Sequence, residues 1–228
     1  GAGKSTLMSI IDGIYQPDKG SISLYGEKVL FSNPREAIKH GIGMVFQHFM
    51  LIPNHTVAEN ITLGASGLGR LIIEDVKQEI NAICDRYELH VDPDRKIREL
   101  SIGEQQRVEI IKILYRGARV LILDEPTAVL TPQESEALYE IIKRLADQKH
   151  SIIFISHKMK EVLDLSNRIT VLNRGKSMGT FLRKDMSAEI LSNLMMGQTD
   201  KIGTNTIVPD PSNDSKQKKP FQKVVEPS

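Results

Sequence analysis

Six residues at the head of the chain, Gly1, Ala2, Gly3, Lys4, Ser5 and Thr6, have the types and order needed to hold a nucleoside triphosphate. Glycines let the backbone curl so that successive N–H groups point inward. The Lys4 ammonium then reaches the β and γ phosphates, the Ser5 hydroxyl ligates Mg²⁺, and a helix starting near Ser5 turns its positive end toward the anion. The full pattern G-x-x-x-x-G-K-[ST] needs a further glycine ahead of Gly1, so the chain is expected to begin inside its own phosphate loop. The competing reading of these residues alone is a small-residue turn at a helix start.

A second constellation is VLILDE, Val120 to Glu125, which follows a turn-like Arg116-Gly117-Ala118. Four consecutive apolar residues read as a buried, central, parallel strand, and the acids fall at its carboxyl end, where open α/β sheets bind ligands. Asp124 is placed to hold Mg²⁺, directly or through water, and Glu125 to polarise an attacking water. An acidic pair after a strand is often only a helix cap; the loop at Gly1 to Thr6 favours the chemical reading.

Between these two halves lies LSIGEQQR, Leu100 to Arg107. Taken with GAGKST, Gln47 after GIGMVF, VLILDEP, and His157 after SIIFIS, the order resembles the nucleotide-binding subunit of ATP-binding-cassette (ABC) transporters. The resemblance implies an α/β fold: a P-loop NTPase core with a mainly parallel sheet, an antiparallel edge portion and a helical subdomain. It implies ATP and Mg²⁺ as cofactors, with Gln47 touching Mg²⁺ and sensing a membrane partner. Ser101 and Gly103 would bind the γ-phosphate of nucleotide held by the other cassette, and His157 would contact that phosphate and position Glu125. Without the resemblance, Ser101 is simply a helix N-cap with Glu104 as its capping-box partner. Both readings can hold together.

Two departures stand out. The family's signature commonly runs LSGGQ, whereas Ile102 and Glu104 occupy two of its positions here; the loop after Glu125, often SALD, is Ala128 to Thr131. The aspartate is thus replaced by Thr131, for which a local role is available. Thr-Pro-Gln-Glu supplies an N-cap, a proline at the first helical position and a capping-box Glu134, opening a helix with Ala137, Leu138, Ile141, Ile142 and Leu145 on its apolar face.

The stretches VFQHFMLIPNHTVAENITLG and EQQRVEIIKILYRGARVLILDEPTAVLTPQE are similar to the first cassette of two-cassette ATPases that energise import of simple sugars and, in a related branch, purine nucleosides. HFMLIPNHTVAENI favours the nucleoside branch over ribose, galactose or xylose importers. The implied partners are a second cassette in the same full-length chain, transmembrane permease subunits and, through them, an extracytoplasmic solute-binding protein. Two other classes stand beside this one. Cassettes acting in DNA repair or on ribosomes would show coiled-coil insertions or basic extensions, and a regulatory cassette would bind ATP with little turnover.

The elements that must position these residues follow the same order. A helix is expected over Thr6 to Ile14, then short strands in SISLYG, VLF and the run to Val45 that pack at the edge of the nucleotide core. From about 53 to 118 the pattern turns helical, with Val76, Ile80, Ile83 and Tyr87 on one face. Beyond Glu125 come a helix to Lys149, the strand SIIFIS, a helix around Met159 to Leu165, and the strand RITVLN leading through a hairpin into SMGTF. A final helix spans Ser187 to Met196 with Ile190, Leu191, Leu194 and Met195 inward. The cassette thus reads as 1–196, and 197–228, poor in apolar residues, as a linker or tail toward an absent second cassette.

Thirty basic against 29 acidic residues leave no electrostatic footprint for nucleic acid, and Lys216, Lys218 and Lys219 sit in the tail. The single cysteine, Cys84, excludes an internal disulfide and reads as a buried free thiol. No apolar run approaches the roughly 18 residues of a spanning helix. The expectation is a peripheral protein at the cytoplasmic face of the cell membrane, held there by its partners.

Overall fold

The computed structural model describes residues 2–64 and 73–198. In chain order its elements are α1 (Lys4–Ile11), β1 (Ile22–Leu24), β2 (Glu27–Val29), α2 (Pro34–Lys39), β3 (Ile42–Val45), α3 (Val57–Thr62), α4 (Ile73–Tyr87), α5 (Ile102–Tyr115), β4 (Val120–Asp124), α6 (Pro132–Asp147), β5 (Ser151–Ile155), α7 (Met159–Leu165), β6 (Arg168–Asn173), β7 (Lys176–Leu182) and α8 (Ala188–Met195).

The most apolar runs form the core sheet, a parallel one of order β3-β4-β5. β4 is buried along its whole length and divides the core by the period-2 rule of strands. Leu121 and Leu123 join Val57, Ile61, Ile80 and Ile110 of the helical region on one face, while Val120 and Ile122 join Met8, Phe31 and Ala37 on the other. Close packing across the first face shows at Gly43, where an added Cβ would lie 2.8 Å from Ile113 Cβ of α5. Two antiparallel hairpins, β1-β2 and β6-β7, flank this sheet, and β6-β7 closes a smaller core of Ile169, Phe181, Leu191 and Leu194.

The helical stretch is built from locally consistent signals. Thr56 and Glu59 form a reciprocal capping box that opens α3, and Val76, Ile80, Cys84 and Tyr87 turn the apolar face of α4 inward, with Ile83 half-buried. Burial pushes the Cys84 thiol up, as befits a free, unreactive sulfhydryl. A buried hydrogen bond from this region to the core joins the Tyr87 hydroxyl to His150 Nε2 at 2.9 Å.

Several expectations change. The run to Val45 does not pack with the edge strands; β3 is fully buried and pairs with β4 in the core sheet. Ahead of it stands α2, unforeseen, opened by an Asn33 cap and Pro34 at the first helical position. α1 begins at Lys4 and stops at Ile11, because Asp12 caps it and Gly13 turns left-handed (φ 78°). α6 ends at Asp147 rather than Lys149, and Ala137 on it is exposed, although Leu138, Ile141, Ile142 and Leu145 are buried. Met195 and Met196 are likewise exposed at the end of α8, and Ile190 is only half-buried. The tail from 199 onward, like Gly1, lies outside the described residues.

Candidate active site

The N-terminus of α1 is the natural place to begin. Its cap is Gly3, in a left-handed conformation (φ 86°), so no side chain bonds the first-turn amides and no acidic residue neutralises that turn. By contrast α2, α3, α5, α6 and α8 all carry a capping side chain together with a first-turn acid. The amide groups of the first turn, which have no partner within the helix, are thus left for an external anion. Lys4 and Ser5 are the first two residues of this helix, with Thr6 following. The preceding turn is pinned from outside: Gly175 N–H donates to Ala2 C=O at 3.2 Å, and a Cβ on Gly3 would sit 3.3 Å from Gly175 Cα.

The acids come from the carboxyl end of β4. Asp124 is the last strand residue and is buried; burial and neighbouring Glu125 raise its pKa, while Lys4 pulls the other way. The Lys4 ammonium therefore lies within electrostatic reach of this carboxylate. Glu125 follows in a left-handed conformation (φ 49°), unusual for a glutamate, and its side chain is only 12% exposed. That backbone is fixed on both sides, since Glu125 N–H donates to Ile155 C=O at 3.0 Å and Ala128 N–H to Glu125 C=O at 3.0 Å.

His157 leaves the adjacent strand end, β5. Strand register sets Asp124 opposite Ile155, so the residues after each strand emerge side by side, and His157 Nδ1 lies 2.8 Å from Glu125 Oε2. Gln47 follows β3 by two residues; with Val45 opposite Leu123, it leaves the same edge of the sheet, exposed. The three strand ends thus present Gln47, Asp124 with Glu125, and His157 along one rim.

Ser101 and Gly103 are elsewhere. Ser101 caps α5 in the expected box: its Oγ accepts from Glu104 N–H at 3.2 Å, and Ser101 N–H donates to Glu104 Oε2 at 2.7 Å. Gly103 N–H donates to Glu134 Oε1 at 3.0 Å, so a carboxylate of this chain meets the amide assigned to phosphate. Both residues line a small cavity with Arg107, Leu130 and Glu134, away from the cleft that Lys4 and His157 share.

The donors fit Mg²⁺ and a triphosphate chemically. A hydroxyl, an amide oxygen and a carboxylate are hard oxygen ligands, and Mg²⁺ takes few protein groups beside phosphates and water. No group of three His, Cys, Asp or Glu side chains that would hold a metal by itself occurs among the described residues. Sequence reasoning passed over Glu161, in the first turn of α7, which is buried behind Glu125 and His157. A glutamate at a helix start has an ordinary electrostatic reason to be there, and only its burial sets it apart.

A family model described as "ABC transporter" matches residues 1–128. The nucleoside import ATP-binding protein NupA of Lactococcus lactis is 47% identical over 87% of this chain and 40% of its own length. The glucose import ATP-binding protein TsgD13 of Haloferax volcanii is 43% identical over 87% of this chain and 42% of its own. The chain therefore spans about two fifths of the length of these relatives. Among solved structures, cbiO1 of Clostridium perfringens, part of an ABC transporter complex, superposes with a TM-score of 0.70 at 24% identity, covering 86% of this chain and 77% of that one.

Proposed function

The chain belongs to the ABC transporter family, and on that premise we propose that it is an ATP-binding and ATP-hydrolysing cassette that energises import of purine nucleosides or simple sugars. The observation that carries this reading is the 2.8 Å contact between His157 and Glu125 at the strand ends, on the rim that also bears Asp124.

In this reading the phosphates lie on the α1 N-terminus, held by the amides of Ala2 to Thr6 and by the Lys4 ammonium, with Gly1 one further residue of the same loop. Ser5, Gln47 and Asp124 would hold Mg²⁺, which neutralises charge developing on the phosphate oxygens. Glu125 accepts a proton from the attacking water, and His157 orients Glu125 and meets the γ-phosphate. Ser101 and Gly103 act on nucleotide bound by a second cassette, so closure of two cassettes assembles each site and hydrolysis reopens it. That cycle would drive transmembrane permease subunits, supplied by an extracytoplasmic solute-binding protein, from the cytoplasmic face of the membrane. No described helix is long and apolar enough to cross a membrane. Residues 1–196 would form the cassette and 197–228 the link to the second one.

The nucleoside and glucose import subunits are 47% and 43% identical to this chain, which supports import of one of these two solute classes, and the stretch HFMLIPNHTVAENI is what favours nucleosides. The test is ATPase activity of the complete protein reconstituted with permease and binding protein, titrated separately with purine nucleosides, pentoses and hexoses. Stimulation by nucleosides alone supports the reading, stimulation by a sugar moves the substrate, and ATP binding without turnover makes the cassette regulatory.

A further inference from the structure

Glu161 is 4% exposed, although it is a carboxylate on the first turn of a seven-residue helix. Burying a charge is costly unless it is paired and hydrogen-bonded, and this one is both. Its Oε1 accepts from Thr127 Oγ1 at 2.6 Å, and its Oε2 accepts from Ser156 Oγ at 2.8 Å. The Lys158 ammonium lies 3.1 Å from Oε1 and also donates to the carbonyl and hydroxyl of Thr127, at 3.1 and 3.2 Å. Burial alone would raise the Glu161 pKa, but Thr127, Ser156, Lys158 and Tyr139 outweigh it and keep the group ionised.

What matters is where the two hydroxyls sit. Thr127 is two residues past Glu125, on the loop that leaves β4. Ser156 immediately precedes His157, on the loop that leaves β5. One carboxylate therefore clasps the two loops whose outer side chains meet at 2.8 Å. The Glu125 loop needs such a tether: a left-handed glutamate costs roughly 1–2 kcal/mol and persists only where surrounding bonds over-determine it.

We propose that Glu161 is a positioning residue for hydrolysis, fixing the Glu125 loop against the His157 loop by accepting from Thr127 and Ser156 at once. The proposal rests on the hydrolytic reading of the site given above. Glu161 is buried against Thr127, Ser156 and Lys158, and it acts through the separation of Glu125 and His157. Removing it leaves the Thr127, Ser156 and Tyr139 hydroxyls and the Lys158 ammonium without their shared acceptor, and a misplacement of about 1 Å at a reacting centre costs about 10²-fold in rate.

The test uses the complete protein with its membrane partners, in a background where the other cassette's hydrolytic glutamate is disabled so that only this site turns over. Glu161→Ala is expected to lower kcat at least about 10-fold with the KM for ATP within about 2-fold, since the loops are displaced but the phosphate loop is not. Placed on His157→Ala, the same change should cost less than about 2-fold more, because the contact it maintains is already gone. Thr127→Val and Ser156→Ala each remove one donor with little change in volume; they should give smaller kcat losses, and they decide the matter if Glu161→Ala does not fold. Wild-type kcat in Glu161→Ala, or losses that multiply with His157→Ala, overturns the inference while leaving the ATPase reading intact. An unmodified protein that fails to hydrolyse ATP overturns both.

Discussion

His157 Nδ1 stands 2.8 Å from Glu125 Oε2, a contact made by residues 32 apart that leave adjacent strands of one parallel sheet. The geometry suits a glutamate that takes a proton while a histidine holds it in place. Glu125→Gln keeps the size and the histidine contact but removes the basic carboxylate. It is expected to retain ATP binding while turnover at this site falls 10²- to 10⁴-fold, the range for loss of a general base. Nucleotide binding and single-site hydrolysis in the complete protein check it, with Lys4→Ala as the contrast that weakens binding itself. A Gln variant that turns over at the unmodified rate would remove Glu125 from the chemistry.

The positions of the candidate residues were more legible in the sequence than the contacts between them. Lys4 opens a helix after two glycines, the apolar run of β4 says by itself that Asp124 and Glu125 lie at a buried strand end, and only the family resemblance singled out His157 as a partner of Glu125. The capping boxes at Ser101 and Thr131 were readable because each is settled within four residues. Glu161 was not, because its burial depends on Thr127, 34 residues away, arriving beside it. β3 looked like an edge strand because nothing local reveals that α5 crosses it so closely that only a glycine fits at position 43. α2 carried an Asn-Pro start signal, but six residues are too few for a helical period to show.

Asp12, at the C-terminal end of α1, is buried, and burial raises its pKa to about 6. In the unfolded chain the group ionises near 3.8. Between those values the folded state holds the proton more tightly, so stability falls as pH rises from about 4 to about 6 and stays low above that. Asp12→Asn removes the penalty. The variant is expected to be more stable than the parent at pH 7 by up to about 2 kcal/mol, with the gain gone near pH 4. Denaturant melts at the two pH values decide it, and a variant equally or less stable at pH 7 would show that the carboxylate has a use.

His150 gives the opposite slope at a different place. Burial, helped by Arg119 and Arg86, holds its pKa below the ordinary value, and its Nε2 is bonded to the Tyr87 hydroxyl. The unfolded chain takes up the proton first, near pH 6.5, so the stability this pair contributes is present above that pH and lost as pH falls through it. Because the bond joins α4 to the core, acid should loosen that join before the sheet. Tyr87→Phe is expected to cost about 1 kcal/mol at pH 7.5. Hydrogen exchange on α4 at pH 7.5 and 5.5 should show protection falling earlier there than on β4; equal loss on both would place the acid-sensitive group elsewhere.

Thr131 replaces the aspartate that the family often carries after its hydrolytic glutamate, and its surroundings explain what an aspartate would do here. Thr131 Oγ1 accepts from Glu134 N–H at 3.3 Å and lies 3.0 Å from Glu134 Oε2, to which Thr131 N–H also donates at 3.0 Å. The other oxygen of Glu134 takes the Gly103 N–H, so one carboxylate joins the starts of α5 and α6. As an isolated cap, aspartate equals or exceeds threonine. Beside Glu134, however, it would set two carboxylates together and drive the glutamate away from Gly103. Thr131→Ser should therefore leave stability within about 0.5 kcal/mol, whereas Thr131→Asp should lose about 1 kcal/mol despite its better capping rank. Adding Glu134→Gln should recover most of that loss, because an amide at position 134 removes the repulsion and still offers Gly103 an oxygen. Melts of the three variants at neutral pH check the argument. A stable Thr131→Asp would mean that Glu134 is free to swing away, and that its hold on Gly103 contributes little to the fold.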